Sequence, residues 1–420
     1  MEAGILTLDD FDFDAKTVIL RLDINSPVNS LTGELVNDTR IRKSLPTIRE
    51  LSAAGAKTIM LAHQGDTEDY HNLISLEPHA QRLSALLQRP VDFIDDIAGP
   101  AAIQRIKELH KSELLLLNNV RHFAEEVSTF INFVQLTPQQ LAHTRLVKNL
   151  APLADYYVCE AFSAAHRSSP SLIGLAEVLP AVGGRLFIEE LSALTRVRES
   201  PDHPCVFVLG GARIADAFSM MEEVLGKATA DKILTSGLNG EVMLLAKGYS
   251  LGNPSESLLE SKGLMPFVQK ARDLIDRYPD SIMCPTDFAV DDDGRREVSL
   301  DDLPADRLLI DIGASTISRY IGIIQKAATI FVNGPAGMYE QPAAALGTQR
   351  LWSAIAAAPG YSVIGGGDSV AAATRFRTLE GMGHVCTAGG GMVRFLSGQE
   401  LPVVRALRRA ALRHRGSLRE

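Results

Sequence analysis

PCVFVLGGARIAD, residues 204–216, decides the fold class: a near-continuous apolar run, two glycines, and then the first residues of a helical pattern. A strand without polar alternation is buried on both faces, as in a parallel sheet covered by helices. Downstream, KILTSG (232–237), SIMCPTD (281–287), TIFVNG (329–334), YSVIGGG (361–367) and HVCTAGG (384–390) read as further strands of the same sheet. Upstream, TVILRLDI (17–24), KTIMLAH (57–63), ELLLLNN (113–119) and YYVCEAF (156–162) read as strands of another sheet. Between them lie helical patterns such as TRIRKSLPTIRELSAAG (39–55), with apolar residues at helical spacing and a glycine at the C-terminal end. Such alternation implies βαβ units, and the expected fold is α/β: two Rossmann-like doubly wound parallel-sheet lobes joined by a hinge helix.

The seam is expected in GLAEVLPAVGGRLFIEELSALTRVRESPDHP, where a Pro/Gly turn, one long helix and a polar Pro-flanked stretch follow each other. This places an N-terminal lobe at 1–180, a hinge helix within 181–200 and a second lobe at 201–399. The basic amphipathic tail RALRRAALRHRG (405–416) is expected to pack back, with the rest of 400–420, on the first lobe rather than on a membrane.

Composition narrows the function. The 420 residues carry 42 Lys plus Arg against 51 Asp plus Glu, a net charge of −9, with 46% hydrophobic and 22% charged residues. That is an ordinary globular balance, and its acidity argues against a nucleic-acid partner, which needs a basic footprint. No apolar run reaches the roughly 18 residues that a spanning helix requires. The acidic start, MEAGILTLDDFDFDAKTVIL, is unlike a signal peptide, so a cytoplasmic location is expected. Cys159, Cys205, Cys284 and Cys386 are far apart with no metal-ligand spacing, and read as buried reduced thiols.

The glycines of the second half recur at the carboxyl ends of the strands: GGAR (210–213), SGLNG (236–240), NGPAG (333–337), GGGDS (365–369) and TAGGGM (387–392). In an open α/β sheet that edge is where ligands bind. Glycine permits close backbone approach, and a helix starting just after presents free N–H groups to phosphate. No Walker A loop and no GxGxxG fingerprint is present. Asp368 is the natural magnesium carboxylate of such a site, and equally a sensible helix cap. In the first half, the strand ends and adjoining loops carry Arg21, Asp23, Asn25, Arg40, His63, Arg121, His166 and Arg167. Arginine forks bind phosphate and carboxylate bidentately, so this set suits a small polyanion. A nucleotide lobe, an anion lobe and a hinge together suggest phosphoryl transfer, which needs positioning and charge neutralisation above all.

The ordered segments RLDINSPV, NDTRIRKSLPTI, AHQG, LLLLNNVRHFAEE, LADYYVCEAFSAAHRSSPSLIG, FVLGGARIAD, NGPAGMYE, LGT, YSVIGGGDS and HVCTAGGGMVRFLSGQELPVVRAL resemble phosphoglycerate kinase over essentially the whole chain. HQG, HRSSPS and TSGL are similar to the archaeal-type branch. The resemblance implies reversible transfer between 1,3-bisphosphoglycerate and ADP, giving 3-phosphoglycerate and ATP with Mg2+. It implies phosphoglycerate binding by Asp23, Asn25, Arg40, His63, Arg121 and Arg167, and an orienting role for Arg21. Gly210, Gly211, Gly237, Asn333, Pro335, Glu340, Gly366, Gly367, Asp368 and Ser369, with Gly337 and Gly365 in the same motifs, would line the nucleotide site. Arg213 and the helix start at Gly389, Gly390 and Gly391 would face the transferring group. Family members are monomers or homodimers.

Three positions depart from the family pattern. Asp66 and Glu189 stand where a basic residue is usual, and Ala217 where a second lysine is common outside the archaeal-type branch. They leave open a non-catalytic nucleotide-binding regulatory paralogue, or a kinase for a related small acid, beside the working enzyme.

Overall fold

The computed structural model describes residues 4–29, 32–65 and 71–417. The chain divides into two compact units, Met1–Ser192 with Glu400–Glu420, and Ala193–Gln399. Each has its own sheet and its own apolar core.

The strands of the first unit are β1 Thr17–Arg21, β2 Lys57–Leu61, β3 Asp92–Ile94, β4 Leu114–Leu117, β5 Tyr156–Cys159 and β6 Ala181–Gly183. They form one parallel sheet in the order β3-β4-β2-β1-β5-β6. Register is what matters for function: Arg21 is level with Leu61 on one side and with Cys159 on the other. The segments that follow these three strands therefore leave the sheet side by side. β3 and β6 are additions to the sequence-based expectation; at three residues each they are too short for periodicity to signal them.

Helix Pro402–Ser417 packs on this unit, against β6 and helix Leu175–Val178. Val403, Val404, Leu407, Ala410 and Ala411 are each at most 2% exposed. Burying a valine or leucine stabilises by about 1.5–3 kcal/mol, so this stripe anchors the helix. On its polar side, Arg409 donates to Glu177 at 3.1 Å.

The strands of the second unit are β7 Cys205–Leu209, β8 Lys232–Thr235, β9 Ile282–Met283, β10 Asp287–Asp291, β11 Arg295–Ser299, β12 Leu309–Ile312, β13 Thr329–Asn333, β14 Tyr361–Gly365 and β15 His384–Val385. Six of them make a parallel sheet, β15-β14-β13-β7-β8-β9. Leu209 is level with Asn333 and Thr235, and Asn333 with Gly365, so four glycine-bearing turns emerge together. A separate antiparallel sheet, β11-β10-β12, was not expected from the sequence. Its strands are short and its turn is acidic (Asp291–Asp293), so it reads as a loop until its pairing partners are known.

The division between the units falls inside the 15-residue helix Arg185–Glu199. Its first turn is capped from within the first unit: the Glu160 carboxylate accepts from the N–H groups of Leu186 at 3.2 Å and Phe187 at 3.4 Å, and from Thr47 Oγ1 at 2.6 Å. Burial pushes the Glu160 carboxyl up to about 7; these donors oppose the shift, and Glu190 adds to it. All four cysteines are buried and none is in a disulfide, and burial raises the thiols of Cys159, Cys205 and Cys284. Among the described residues, no helix is long and apolar enough to cross a membrane.

Candidate active site

In the first unit, the ends of β1, β2, β4 and β5 carry a connected polar cluster. Asp23 is buried and joined to Arg40 at 2.9 Å, to the Ser163 hydroxyl, and to its own loop through the Asn25 N–H at 3.1 Å. Burial acts to raise the Asp23 carboxyl, but Arg40, then His63, Ser163 and the Asn25 N–H more than offset it, and the group stays well below the usual carboxylate range. Asn25 Oδ1 accepts from the Gly65 N–H at 3.3 Å, tying the loop after β1 to the loop after β2. Asn119 reinforces that second loop, donating from its amide to the Gln64 carbonyl at 2.8 Å.

His63 lies in contact with Arg21, whose Nη2 is 3.1 Å from the imidazole Nδ1. An arginine has no acceptor, so Nδ1 must accept and the proton of the neutral ring sits on Nε2. Burial holds His63 neutral, with Arg21, Arg121 and Arg40 acting in the same direction and Asp23 opposing. The cluster therefore offers a neutral N–H donor among guanidinium groups. Arg121 and Arg167 both stack on Phe130, at 4.1 and 5.1 Å from the ring centroid, and His63 meets the same ring at 5.2 Å. His166 is half-buried in the same segment as Arg167.

Arg21, expected to orient the substrate, is wholly buried. Its donors go to Ser171 Oγ at 2.8 Å, to the Leu22 carbonyl and to His63. Ser171 is held by Glu126, which accepts from the Ser171 N–H at 2.9 Å and its hydroxyl at 2.5 Å, and from Ser169 Oγ at 2.7 Å. Arg21 thus fixes the tautomer and position of His63 from beneath. The sequence reading missed Phe130, Glu126 and Ser171, because each looks like an ordinary helix or loop residue until the chain folds over it.

In the second unit, the turns after β7, β8 and β13 knit together by main-chain bonds: Gly210 N–H to Asn333 O at 3.0 Å, Gly211 N–H to Pro335 O at 2.8 Å, and Gly237 N–H to Ala336 O at 2.9 Å. Gly334 has φ +88°, and a Cβ there would overlap the Gly210 carbonyl, so only glycine fits. Ser369 Oγ accepts from the Gly334 N–H at 2.7 Å, and the Asn333 amide donates to Gly365 O at 3.0 Å, joining the β14 turn to the same group.

These turns border a cavity of about 350 Å³. Gly211, Gly237, Pro335, Gly337, Glu340 and Asp368 line it; Gly210, Asn333, Gly365, Gly366, Gly367 and Ser369 form the turns behind. Its apolar wall is Leu238, Leu258, Phe288, Leu309 and Ile310, two of them from β12 and one from β10. Asp311 also lies in the lining; Arg295 at 2.7 Å and the N–H groups of Gly347 and Ile312 satisfy it, while burial pushes its carboxyl up to about 6. Asp368 is exposed in the first turn of helix Gly367–Arg375, with no hydrogen bond or ion pair to its side chain among the described residues. A free carboxylate beside the glycine turns is the hard oxygen donor that magnesium takes.

Gly389 caps helix Gly390–Leu396, outside the cavity lining. Arg213 precedes helix Ile214–Gly226 with its side chain 80% exposed, 3.9 Å from Asp216. Ala217 is buried in that helix, Glu189 is exposed on helix Arg185–Glu199, and Asp66 lies outside the described residues.

Two parallel-sheet α/β units, one with an arginine-histidine cluster and one with a glycine-edged cavity at its strand ends, have the equipment of a phosphotransferase. Comparison with known proteins narrows this: residues 8–399 match the phosphoglycerate kinase family. The chain belongs to that family. It is 41% identical to the phosphoglycerate kinase of Methanobacterium bryantii over 99% of this chain and 100% of that one. It is 42% identical to that of Pyrococcus horikoshii, over 95% and 96% of the two chains. The crystal structure of phosphoglycerate kinase from Pyrococcus horikoshii OT3 superposes with a TM-score of 0.88, covering 97% of this chain and 100% of that one at 40% identity. That from Coxiella burnetii gives 0.81 at 29% identity, with the same coverage.

Proposed function

We propose that this enzyme transfers a phosphoryl group reversibly between 1,3-bisphosphoglycerate and ADP, giving 3-phosphoglycerate and ATP, in the cytoplasm and with magnesium. The observation that carries the site assignment is the strand-end cluster of the first unit, where Arg40, Arg121 and Arg167 gather around Asp23, His63 and Phe130. In this reading Arg40, Arg121 and Arg167 neutralise the phosphoglycerate, and His63 and Asn25 supply directional hydrogen bonds. His166 and Asp23 complete the site, with Asp23 holding Arg40 in place. Arg21 acts through His63.

The nucleotide occupies the 350 Å³ cavity, its phosphates at the Gly211 and Gly237 turns and its ribose at Glu340. Asp368 holds the magnesium, which when bound screens and orients the nucleotide phosphates. A β-phosphate oxygen of ADP attacks the acyl phosphorus, and the carboxylate of 3-phosphoglycerate departs with the electron pair. Nucleophile and leaving group are both anionic, so no general base is required. Catalysis rests on alignment and charge neutralisation, to which Arg213 and the N–H groups at Gly389, Gly390 and Gly391 contribute. Helix Arg185–Glu199 is the hinge of the closing motion.

Steady-state turnover of the purified protein with 3-phosphoglycerate and MgATP, coupled to detection of 1,3-bisphosphoglycerate, tests the proposal. The expected kcat lies in the ordinary enzyme range of about 1–1,000 per second. Nucleotide binding without turnover would overturn it in favour of a regulatory protein on the same scaffold.

A further inference from the structure

A second cavity in the second unit takes no part in the mechanism above. It lies along β9, the edge strand of the parallel sheet, and also measures about 350 Å³. That is within the span of small-molecule sites. No residue lines both cavities. Gly237, at the start of helix Gly237–Ala246, borders the nucleotide cavity; Lys247, just past its end, borders this one, about 15 Å further along the axis.

The lining is cationic. Lys232, Lys247 and Arg319 stand there against one acid, Asp280, in a chain whose net charge is −9. Lys232 donates to the Asp280 carbonyl at 2.5 Å. The side chains of Lys247 and Arg319 are exposed and make no hydrogen bond or ion pair among the described residues. The Tyr249 hydroxyl, in the same lining, also has no hydrogen-bond partner among them. Lys247 closes the last turn of its helix, where a cation is favoured in any case. Arg319, exposed midway along helix Ala314–Ile324, has no such reason to be there. The two charges converge: burial raises the Cys284 thiol in the lining, and Lys247 and Arg319 both oppose that shift. Like charges gathered without counter-charges repel one another, and a bound anion relieves the repulsion.

We propose that this cavity is a binding site for a small polyanion carrying phosphate groups, held by Arg319, Lys247 and Lys232 with the Tyr249 O–H as a neutral donor. The arginine fork takes two phosphate oxygens, and the ammonium groups neutralise the remaining charge. The inference is independent of the nucleotide reading of the other cavity.

The test is calorimetric titration of the full chain with inorganic pyrophosphate, in buffer holding saturating 3-phosphoglycerate and ADP and no magnesium, so that the other two sites are filled beforehand. The natural protein is expected to take up one equivalent. The double variant Lys247→Gln, Arg319→Gln should bind at least about tenfold more weakly, the loss expected from hydrogen bonds to charged groups. Both residues lie outside the reaction, so turnover of this variant in the coupled assay should match the natural protein and shows that it is folded. Asp280→Asn removes the one acid of the lining and should tighten binding, a gain that a damaged fold cannot produce. If the double variant binds pyrophosphate within twofold of the natural protein, or the natural protein gives no saturable heat, the inference is overturned. If the double variant does not fold, Asp280→Asn decides alone: unchanged or weaker binding overturns the inference. If the natural protein binds neither 3-phosphoglycerate nor ADP, the proposed function falls, while the comparison of variants still decides this cavity.

Discussion

Arg21 illustrates how a residue can serve a site without facing it. Its guanidinium is locked between Ser171, the Leu22 carbonyl and His63, and Ser171 is in turn locked by Glu126. In this reading Glu126 is a positioning residue: it holds Ser171, which holds Arg21, which holds His63, three contacts away. Glu126→Gln keeps the shape but replaces the charged acceptor with a weaker one. A hydrogen bond to a charged group is worth about 1.5–3 kcal/mol, so kcat/KM for 3-phosphoglycerate is predicted to fall roughly ten- to a hundredfold. KM for MgATP should stay unchanged, since the nucleotide cavity is in the other unit. Equal loss in both substrates, measured by the coupled assay, would mean a general defect in folding rather than in positioning.

At the scale of elements, the N-terminus of helix Arg185–Glu199 is held by side chains of the first unit, Glu160 and Thr47. Glu160 supplies the acceptors for its first turn, and Gly184 is required there because a Cβ would overlap the Glu160 carboxylate. The Glu160 pKa is about 7 folded against 4.5 for an ordinary glutamate. Between those values the folded chain keeps a proton that the unfolded chain has released, so stability falls as pH rises through that window. The contribution is complete below pH 4.5 and lost above 7. Glu160→Gln does not titrate, so it should gain on the natural protein from pH 5 to pH 8, by up to about 3 kcal/mol at 1.36 kcal/mol per pKa unit. Urea unfolding at the two pH values measures the difference; a constant offset would show that Glu160 is ionised throughout.

For the whole molecule, the division of the chain inside one continuous helix is the feature with a consequence for catalysis. Transfer requires phosphoglycerate and nucleotide to meet, and helix Arg185–Glu199 is one of the two places where the chain crosses between the units, Gln399–Glu400 being the other, on which closure would turn. Small-angle scattering of the protein with 3-phosphoglycerate and MgADP together is predicted to give a smaller radius of gyration than either ligand alone. An unchanged radius under saturating conditions would remove the hinge from the mechanism.

Much of this protein was legible in its chain alone. Near-continuous apolar runs located ten of the twelve parallel strands of the described residues, because a strand buried on both faces leaves no polar alternation to confuse. Asp23, Arg40, His63, Arg121 and Arg167 could be picked out because strand ends in a parallel sheet converge whatever the details of packing. Only the tertiary structure supplied the rest. The β11-β10-β12 sheet, which gives the cavity Phe288, Leu309 and Ile310, consists of strands interrupted by charged residues (DFAVD, RREVS and LIDI), so none stands out as an apolar run. Phe130 became the shared platform of two arginines only once helix Ala124–Phe130 packed beneath them. Nothing in the sequence singles out Glu126, Glu160 or Glu241, and each is buried in the structure. Whether a carboxyl group is hydrated, hydrogen-bonded or left waiting for a partner depends on residues distant in the chain, which local pattern does not encode.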